Sequence, residues 1–345
     1  AIDDVNVGSS AKMAVSSLAY GHGRRDDSAD DEDGSPPRLH KHRPVADVVE
    51  LVIYPVKSCA GVSFDQLQLT KTGFWGDRLW MVVAPHSPKT DADANNDDGG
   101  AANASFKPQK ETTLRYKFLT QRECPRMALV QPKIQSTTVL APLSAERCSN
   151  QTENRTGLVH GIQSLTLSAP SCRDILCPVI RAASPHAVTC HVTMHDPGVD
   201  DAAGVVDQGD EAAEWLSSFL GRPNLRLVFR DPITCKRAVT PKYAVPAHAN
   251  ALSFADGMQY LLTSRASLVE LNRRMPEGSE FCTMDRFRPN IVVNGSPPFD
   301  EDTWREIKIG PNTERWSMAP TFYGVKHCTR CVMPTTDQNT GKQSG

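Results

Sequence analysis

The stretch His327-Cys328-Thr329-Arg330-Cys331 puts two thiols three residues apart, with a guanidinium beside the second. A cation next to a thiol raises its thiolate fraction, which is what a nucleophile or a soft-metal ligand requires. Other readings compete. A Cys-x-x-Cys pair is half of a structural zinc site, but no second such pair exists, and Cys235 and Cys282 have no suitably spaced histidine. A thioredoxin-like redox pair sits between a strand and a helix, whereas Val332-Met333-Pro334 follows here. Two inert buried cysteines are the plain alternative.

Three more stretches offer cations or amides where strands begin or end. Tyr54-Pro55-Val56-Lys57-Ser58-Cys59-Ala60-Gly61 presents Lys57 and the Ser58 hydroxyl on a loop, donors suited to a phosphate or a pterin oxygen. Gly76-Asp77-Arg78-Leu79-Trp80 opens a strand with Arg78, which Asp77 can fix; an ordinary surface pair is the alternative. In Arg286-Phe287-Arg288-Pro289-Asn290-Ile291, the proline stiffens the turn and Asn290 opens a buried strand. A guanidinium and an amide on a stiff turn can orient a heteroaromatic ring bearing a phosphate, or simply form a structural salt bridge. Taken singly, each stretch is ambiguous.

The elements that must position these groups read mostly as strands. Residues 48–54 form an apolar run stopped by Pro55, 62–69 alternate, and 79–84 are again apolar. Further short strands are expected at 165–167, 189–193, 225–229, 258–263, 290–293 and 305–309, the last two joined through Pro297-Pro298. Two segments read as helices: 210–220, with acids leading and Gly221 following, and one capped by Ser264 that runs to Met275. Many short strands with few helices predict a mixed, mainly β fold of barrel-like sheets with peripheral helices. Residues 1–47, small and charged, predict a disordered segment with order from about Val48, and 85–115 predicts a long low-complexity surface insertion. A second irregular stretch is expected over 131–160.

With 38 basic against 40 acidic side chains, the net charge of -2 excludes a field that gathers nucleic acid or anionic lipid without a local site. No apolar run is long enough to span a bilayer, so no transmembrane segment is expected. Ten scattered cysteines predict a reducing compartment, against which stand three glycosylation sequons at Asn103, Asn150 and Asn154. The start at Ala1 suggests a processed or incomplete chain.

In chain order, Tyr54-Pro-Val-Lys-Ser-Cys59, Gly76-Asp-Arg-Leu-Trp80, Phe118-Leu-Thr-Gln-Arg122, Ser253-Phe-Ala-Asp256, Arg286-Phe-Arg-Pro-Asn290 and Cys328-Thr-Arg-Cys331 resemble the MOSC superfamily. Within it, the tail from Cys328 to Gly341 is similar to the branch of the mitochondrial amidoxime-reducing component and its bacterial relatives. The resemblance implies an N-terminal β-barrel domain over 48–200, a MOSC barrel over 201–345 and molybdenum cofactor (molybdopterin) between them. It implies Cys331 as the metal ligand and, with Asp256 near the metal, as a catalytic residue. It also implies that Lys57, Ser58, Arg78, Thr120, Gln121, Arg288, Asn290, Thr329 and Arg330 grip the pterin and its phosphate.

The implied activity is reduction of small N-hydroxylated compounds with electrons from a cytochrome b5-type partner, inside the cell, in mitochondria or cytoplasm. By the same resemblance the chain ends 14 residues after Cys331, short of a strand the family carries, and has a polar segment in place of the family's membrane anchor. Two other functions fit the same residues. The C-terminal domain of molybdenum cofactor sulfurase has a similar Arg-Pro/Ala-Asn and Cys-x-Arg-Cys pattern and carries the cofactor for modification. The lack of an upstream pyridoxal-phosphate lyase domain and the Pro-Thr-Thr-Asp tail favour the reductase branch. The other is a β-barrel that binds a partner and has lost its cofactor.

Overall fold

A computed structural model of the chain describes residues 4–6, 13–18, 45–85, 115–136, 161–194, 201–248, 250–311, 319–329 and 331–344. The centre of the 85–115 insertion, residues 137–160 of the second irregular stretch, the three sequons and Arg330 lie outside them. Two α-helices and a large set of short strands make up the described regular structure, a mainly β fold with peripheral helices as the sequence predicts.

Trp80–Pro85 is the strand on which the first half is built. Trp80, Met81, Val82 and Val83 are all fully buried, so both faces of the strand must be covered. Trp80 and Val82 pack with Leu216 and Phe219 of helix Asp210–Leu220. Met81 and Val83 pack on the other side with Cys190, Val192, Val205 and Val228. The strand pairs with Arg226–Phe229 and Arg115–Phe118, and through Asp201–Asp207 and Thr189–Thr193 the sheet returns on itself. Closure comes from a parallel pairing that sets His191 opposite Arg115, which leaves no free edge in this sheet. The domain division expected at 200/201 therefore falls inside one barrel, between paired strands.

The second sheet has seven strands, in the order Leu262–Ser264, Ile291–Asn294, Ala46–Ile53, Met13–Leu18, Glu306–Pro311 and Thr321–Tyr323, with Val62–Phe64 added to Ala46–Ile53. Leu51, Ile53, Ile291, Val293, Ile307 and Ile309 form its core. Ala46–Ile53 is the element that joins the two halves: it lies within this sheet, and the chain just beyond it bridges the barrel where Val56 pairs with Trp80.

Several expectations are corrected. Order does not begin at Val48: Asp4–Asn6 and Met13–Leu18 are strands. Met13–Leu18 pairs with Glu306–Pro311 along six residues and with Ala46 and Asp47 on its other side, burying Val15 fully. Local composition misses such a strand because its ordering entropy is offset by long-range pairing rather than by its own side chains. The alternating run 62–69 is two strands, Val62–Phe64 and Gln66–Thr70. The break is legible afterwards, since the apolar residues shift from even positions (62, 64) to odd ones (67, 69) at Asp65.

Gln131–Ser136 is a strand paired with Ile162–Ser168 rather than irregular chain. Helix Asp210–Leu220 ends at Gly221 in the left-handed region (φ 66°), as its sequence predicts. Ser264 precedes helix Arg265–Arg274 without making a side-chain cap. The strand expected at 258–263 shrinks to Leu262–Ser264, and just before it the Leu261 N–H donates to Asn290 Oδ1 at 3.3 Å. Among the described residues no helix is long and apolar enough to cross a membrane.

Val15→Ser tests the N-terminal strand. A hydroxyl without a partner in the fully buried site of Val15 should cost about 2 kcal/mol in denaturant unfolding. A neutral substitution would mean that Met13–Leu18 does not occupy the sheet.

Candidate functional site

The backbone after Ala46–Ile53 turns under the first functional group. Lys57 N–H donates to Trp80 O at 2.8 Å, and the Ala60 N–H to Val130 O at 2.9 Å, which fixes the loop carrying Lys57 and Ser58. The matching turn is Gly76-Asp77-Arg78. Gly76 has φ 82°, a left-handed conformation that glycine adopts without strain, and a Cβ there would push on the tips of the Ile134 and Ile53 side chains. Asp77, 2% exposed, accepts from the Tyr54 N–H at 2.8 Å and pairs with Arg78 Nη1. The Asp77–Arg78 pair is thus buried rather than the ordinary surface bridge.

Arg78 reaches across the molecule to the third motif. Its Nη1 donates to Asn290 Oδ1 at 3.1 Å and its Nη2 to Arg288 O at 3.4 Å. Asn290, 1% exposed, also donates from Nδ2 to Val52 O at 3.0 Å, so its amide is committed to protein partners and positions Arg78. Arg288 differs from every cation around it. It is 6% exposed and stacks over the Tyr54 ring at 4.2 Å, yet neither Nη1 nor Nη2 has a hydrogen-bond partner. Its N–H donates to Asp285 O, but the guanidinium does not pair with the Asp285 carboxylate that the sequence offers. Burial pushes the Arg288 pKa down. A buried charged donor left unpaired is costly, and a fold that keeps one is built to receive an acceptor.

Lys57 and the second thiol complete the ring. Lys57 Nζ donates to Phe254 O at 2.8 Å and pairs with Asp256 Oδ1. Burial pushes the Lys57 pKa down, and Asp256 partly restores it. Arg122 Nε donates to Cys331 Sγ at 3.4 Å, and Cys331 itself is exposed.

These groups share one cleft of 330 Å³. Of the residues the sequence singled out, Lys57, Ser58, Arg78, Asp256, Arg288, Asn290, Thr329 and Cys331 line it. Lys57, Arg78 and Arg288 therefore converge, although 231 positions separate the first from the last. Thr120 and Gln121 do not line the cleft: Thr120 accepts the Arg122 N–H, and Gln121 donates to Ser58 O at 2.9 Å and exchanges amide hydrogen bonds with Gln338. Their polar groups brace the turn rather than face a ligand.

Sequence reasoning missed Arg122, Arg286 and Lys326, which also line the cleft. Arg122 and Arg286 stood inside recognised motifs, but no local spacing separates them from other loop arginines. Seven non-glycine residues in the described chain have positive φ, and three of these, Ser58 (65°), Arg78 (51°) and Arg288 (57°), line the cleft. Strained backbone of this kind, at about 1–3 kcal/mol each, concentrates where a fold must aim side chains at a ligand. An adjoining cavity of 480 Å³ shares Met258, Tyr260, Leu261, Lys326 and Cys328 with the cleft, and its other walls include Tyr243, Trp304, Phe322 and Arg305. Among the described residues no group of three or more His, Cys, Asp or Glu side chains could hold a metal ion.

Comparison with known families matches residues 45–223 to the MOSC N-terminal beta barrel domain and residues 249–345 to the MOSC domain. The chain is 29% identical over 310 residues to mitochondrial amidoxime-reducing component 1 of Mus musculus, covering 89% of this chain and 70% of that protein. Mitochondrial amidoxime reducing component 2 of Bos taurus is also 29% identical over 310 residues, with 89% and 71% covered. Molybdenum cofactor sulfurase of Drosophila mojavensis is 28% identical over 301 residues, 86% of this chain but 29% of that protein.

Arg288→Met should raise the stability of the ligand-free protein by about 1–4 kcal/mol, because it removes a buried charge that no acid neutralises. Inorganic phosphate should raise the melting temperature of the parent and not that of the variant. A destabilised variant, or equal phosphate responses, would mean that Arg288 is satisfied by the protein itself.

Proposed function

The chain belongs to the MOSC family, and from that premise we propose that its cleft holds molybdenum cofactor, with Cys331 as the protein's sulfur ligand to the metal, and reduces small N-hydroxylated compounds. The observation that carries this reading is the buried, unpartnered Arg288 guanidinium lining the same cleft as the exposed Cys331 thiol. A cationic end and a thiol end within one cleft suit a pterin phosphate that carries a metal. A metal delivered by an organic cofactor needs only one protein thiolate, so a cluster of protein ligands is unnecessary.

When bound, the cofactor supplies the two-electron redox chemistry that reduction of an N–O bond requires. The protein's own groups do the rest. Arg288 and Arg78 would receive the phosphate, with Ser58 and Thr329, which line the same cleft, as neutral donors. Arg330, by the family resemblance, adds a further cation. Asp256 stands next to Lys57 and near Arg122, at the sulfur end of the cleft. There Lys57 Nζ, which donates to the Asp256 carboxylate, would be the group of this end of the cleft able to supply a proton.

The relatives named as mitochondrial amidoxime-reducing components support the reductase reading and a mitochondrial setting, with the cytoplasm as alternative; the cytochrome b5-type electron donor follows from the family resemblance alone. Sulfurase-like carriage of the cofactor would use the same cleft, and the match to the sulfurase keeps it as the second reading. The two domains proposed are an N-terminal barrel that carries Lys57, Arg78 and Arg122 and a MOSC part that carries Asp256, Arg288 and Cys331, with the cofactor between them.

Two cysteine variants test the reading. Cys331→Ser should abolish reduction of a benzamidoxime probe while most of the pterin stays bound, since pterin affinity comes from the cations. Cys328→Ser should reduce the same probe at a rate near the parent's. Equal losses in both would point to a paired-thiol site and against a single metal ligand.

A further inference from the structure

One guanidinium touches both the thiol and the carboxylate of the cleft. Arg122 Nε donates to Cys331 Sγ at 3.4 Å, and its Nη2 lies 3.7 Å from Asp256 Oδ2. The backbone that carries it is held from several sides. The Arg122 N–H donates to Thr120 Oγ1 at 3.2 Å, and the Glu123 and Cys124 N–H groups to Thr120 O. Next to it, fully buried Gln121 ties the turn to Ser58 O and to Gln338 in the tail. Glu123, the nearest acid in sequence, is taken by Lys117 at 3.1 Å, so Arg122 is left to face the cleft. A guanidinium is planar and forked, and on a rigid turn it can serve two acceptors in a fixed geometry.

We propose that Arg122 is a positioning residue for the metal centre, acting through the Cys331 sulfur and the Asp256 carboxylate. The inference rests on the reading of Cys331 as the metal's protein ligand. An N–H donor on a ligating sulfur withdraws electron density from it and stabilises the electron-rich, reduced state, so Arg122 holds the reduction potential of the centre above that of an unbonded thiolate. At the same time it keeps Asp256 against Lys57, at the end of the cleft where the sulfur lies. Lysine cannot replace it, because one ammonium on a flexible stem cannot reach both acceptors at once.

The test uses the full chain loaded with cofactor, as the parent, Arg122→Lys, Arg122→Ala and Cys331→Ser. Molybdenum and pterin contents are measured first, and the potential of the bound metal is then read by redox titration followed by electron paramagnetic resonance. The proposal expects both Arg122 variants to shift the potential negative, with turnover falling about 10- to 100-fold. An unchanged potential in both variants, or a lysine variant that matches the parent, overturns it. If Arg122→Ala loses cofactor, Arg122→Lys decides alone on the fraction that stays loaded. Cys331→Ser separates the two levels. A metal signal unaffected by Cys331→Ser, or a parent without molybdenum, defeats the functional reading and this inference with it. A signal altered by Cys331→Ser but not by the Arg122 variants defeats this inference only.

Discussion

Several cations face one cleft, and the described carboxylates beside them are already taken. Asp77 is committed to Arg78 and to the Tyr54 N–H, and Asp256 pairs with Lys57. Among the described residues no carboxylate pairs with the terminal nitrogens of Arg288, which rests on the Tyr54 ring. Charges of one sign gathered in a medium of low polarity repel one another, and burial deprives each of water. The deficit of negative charge is therefore the constraint around which the rest of the site is organised. It also accounts for the backbone strain at Ser58, Arg78 and Arg288, since left-handed conformations aim side chains inward that a relaxed turn would send outward.

The fold answers this constraint with contacts that span the chain. Asn290 joins Val52 in one motif to Arg78 in another. The segment after Cys331 is stapled on two sides. Gln338 exchanges amide hydrogen bonds with Gln121, and Arg286, only 4% exposed, pairs with Asp337 at 2.9 Å and Glu280 at 2.8 Å. Asp337 in turn accepts the Asn339 and Thr340 N–H groups, which closes the tail's own turn and holds its carboxyl below the usual carboxylate range, with the Thr340 hydrogen bonds as the leading cause. An exposed thiol thereby sits on a segment that its neighbours keep in place.

Much of this was legible in the sequence because the functional cations sit where an apolar run stops. Pro55 ends the strand before Lys57, Gly76 forces the turn before Arg78, and Pro289 stiffens the chain after Arg288. Such punctuation can be read locally. The role of Arg122 could not, because it depends on where Cys331 arrives from more than two hundred residues away. Thr120 and Gln121 show the opposite case: the motif is real, but its polar atoms turn inward to hold the loop, and side-chain direction is set by tertiary packing. The Met13–Leu18 strand was hidden for a related reason, since its partners Glu306–Pro311 lie at the other end of the chain.

The account stands on the claim that the cationic end and the thiol end of this cleft serve one cofactor. The most direct measurement is elemental analysis of the protein purified from a host that makes molybdenum cofactor, together with fluorescence of the pterin released and oxidised from the same sample. The account predicts molybdenum and pterin in equimolar amounts, both retained through gel filtration. Pterin and molybdenum absent from correctly folded protein, or zinc in their place, would contradict it.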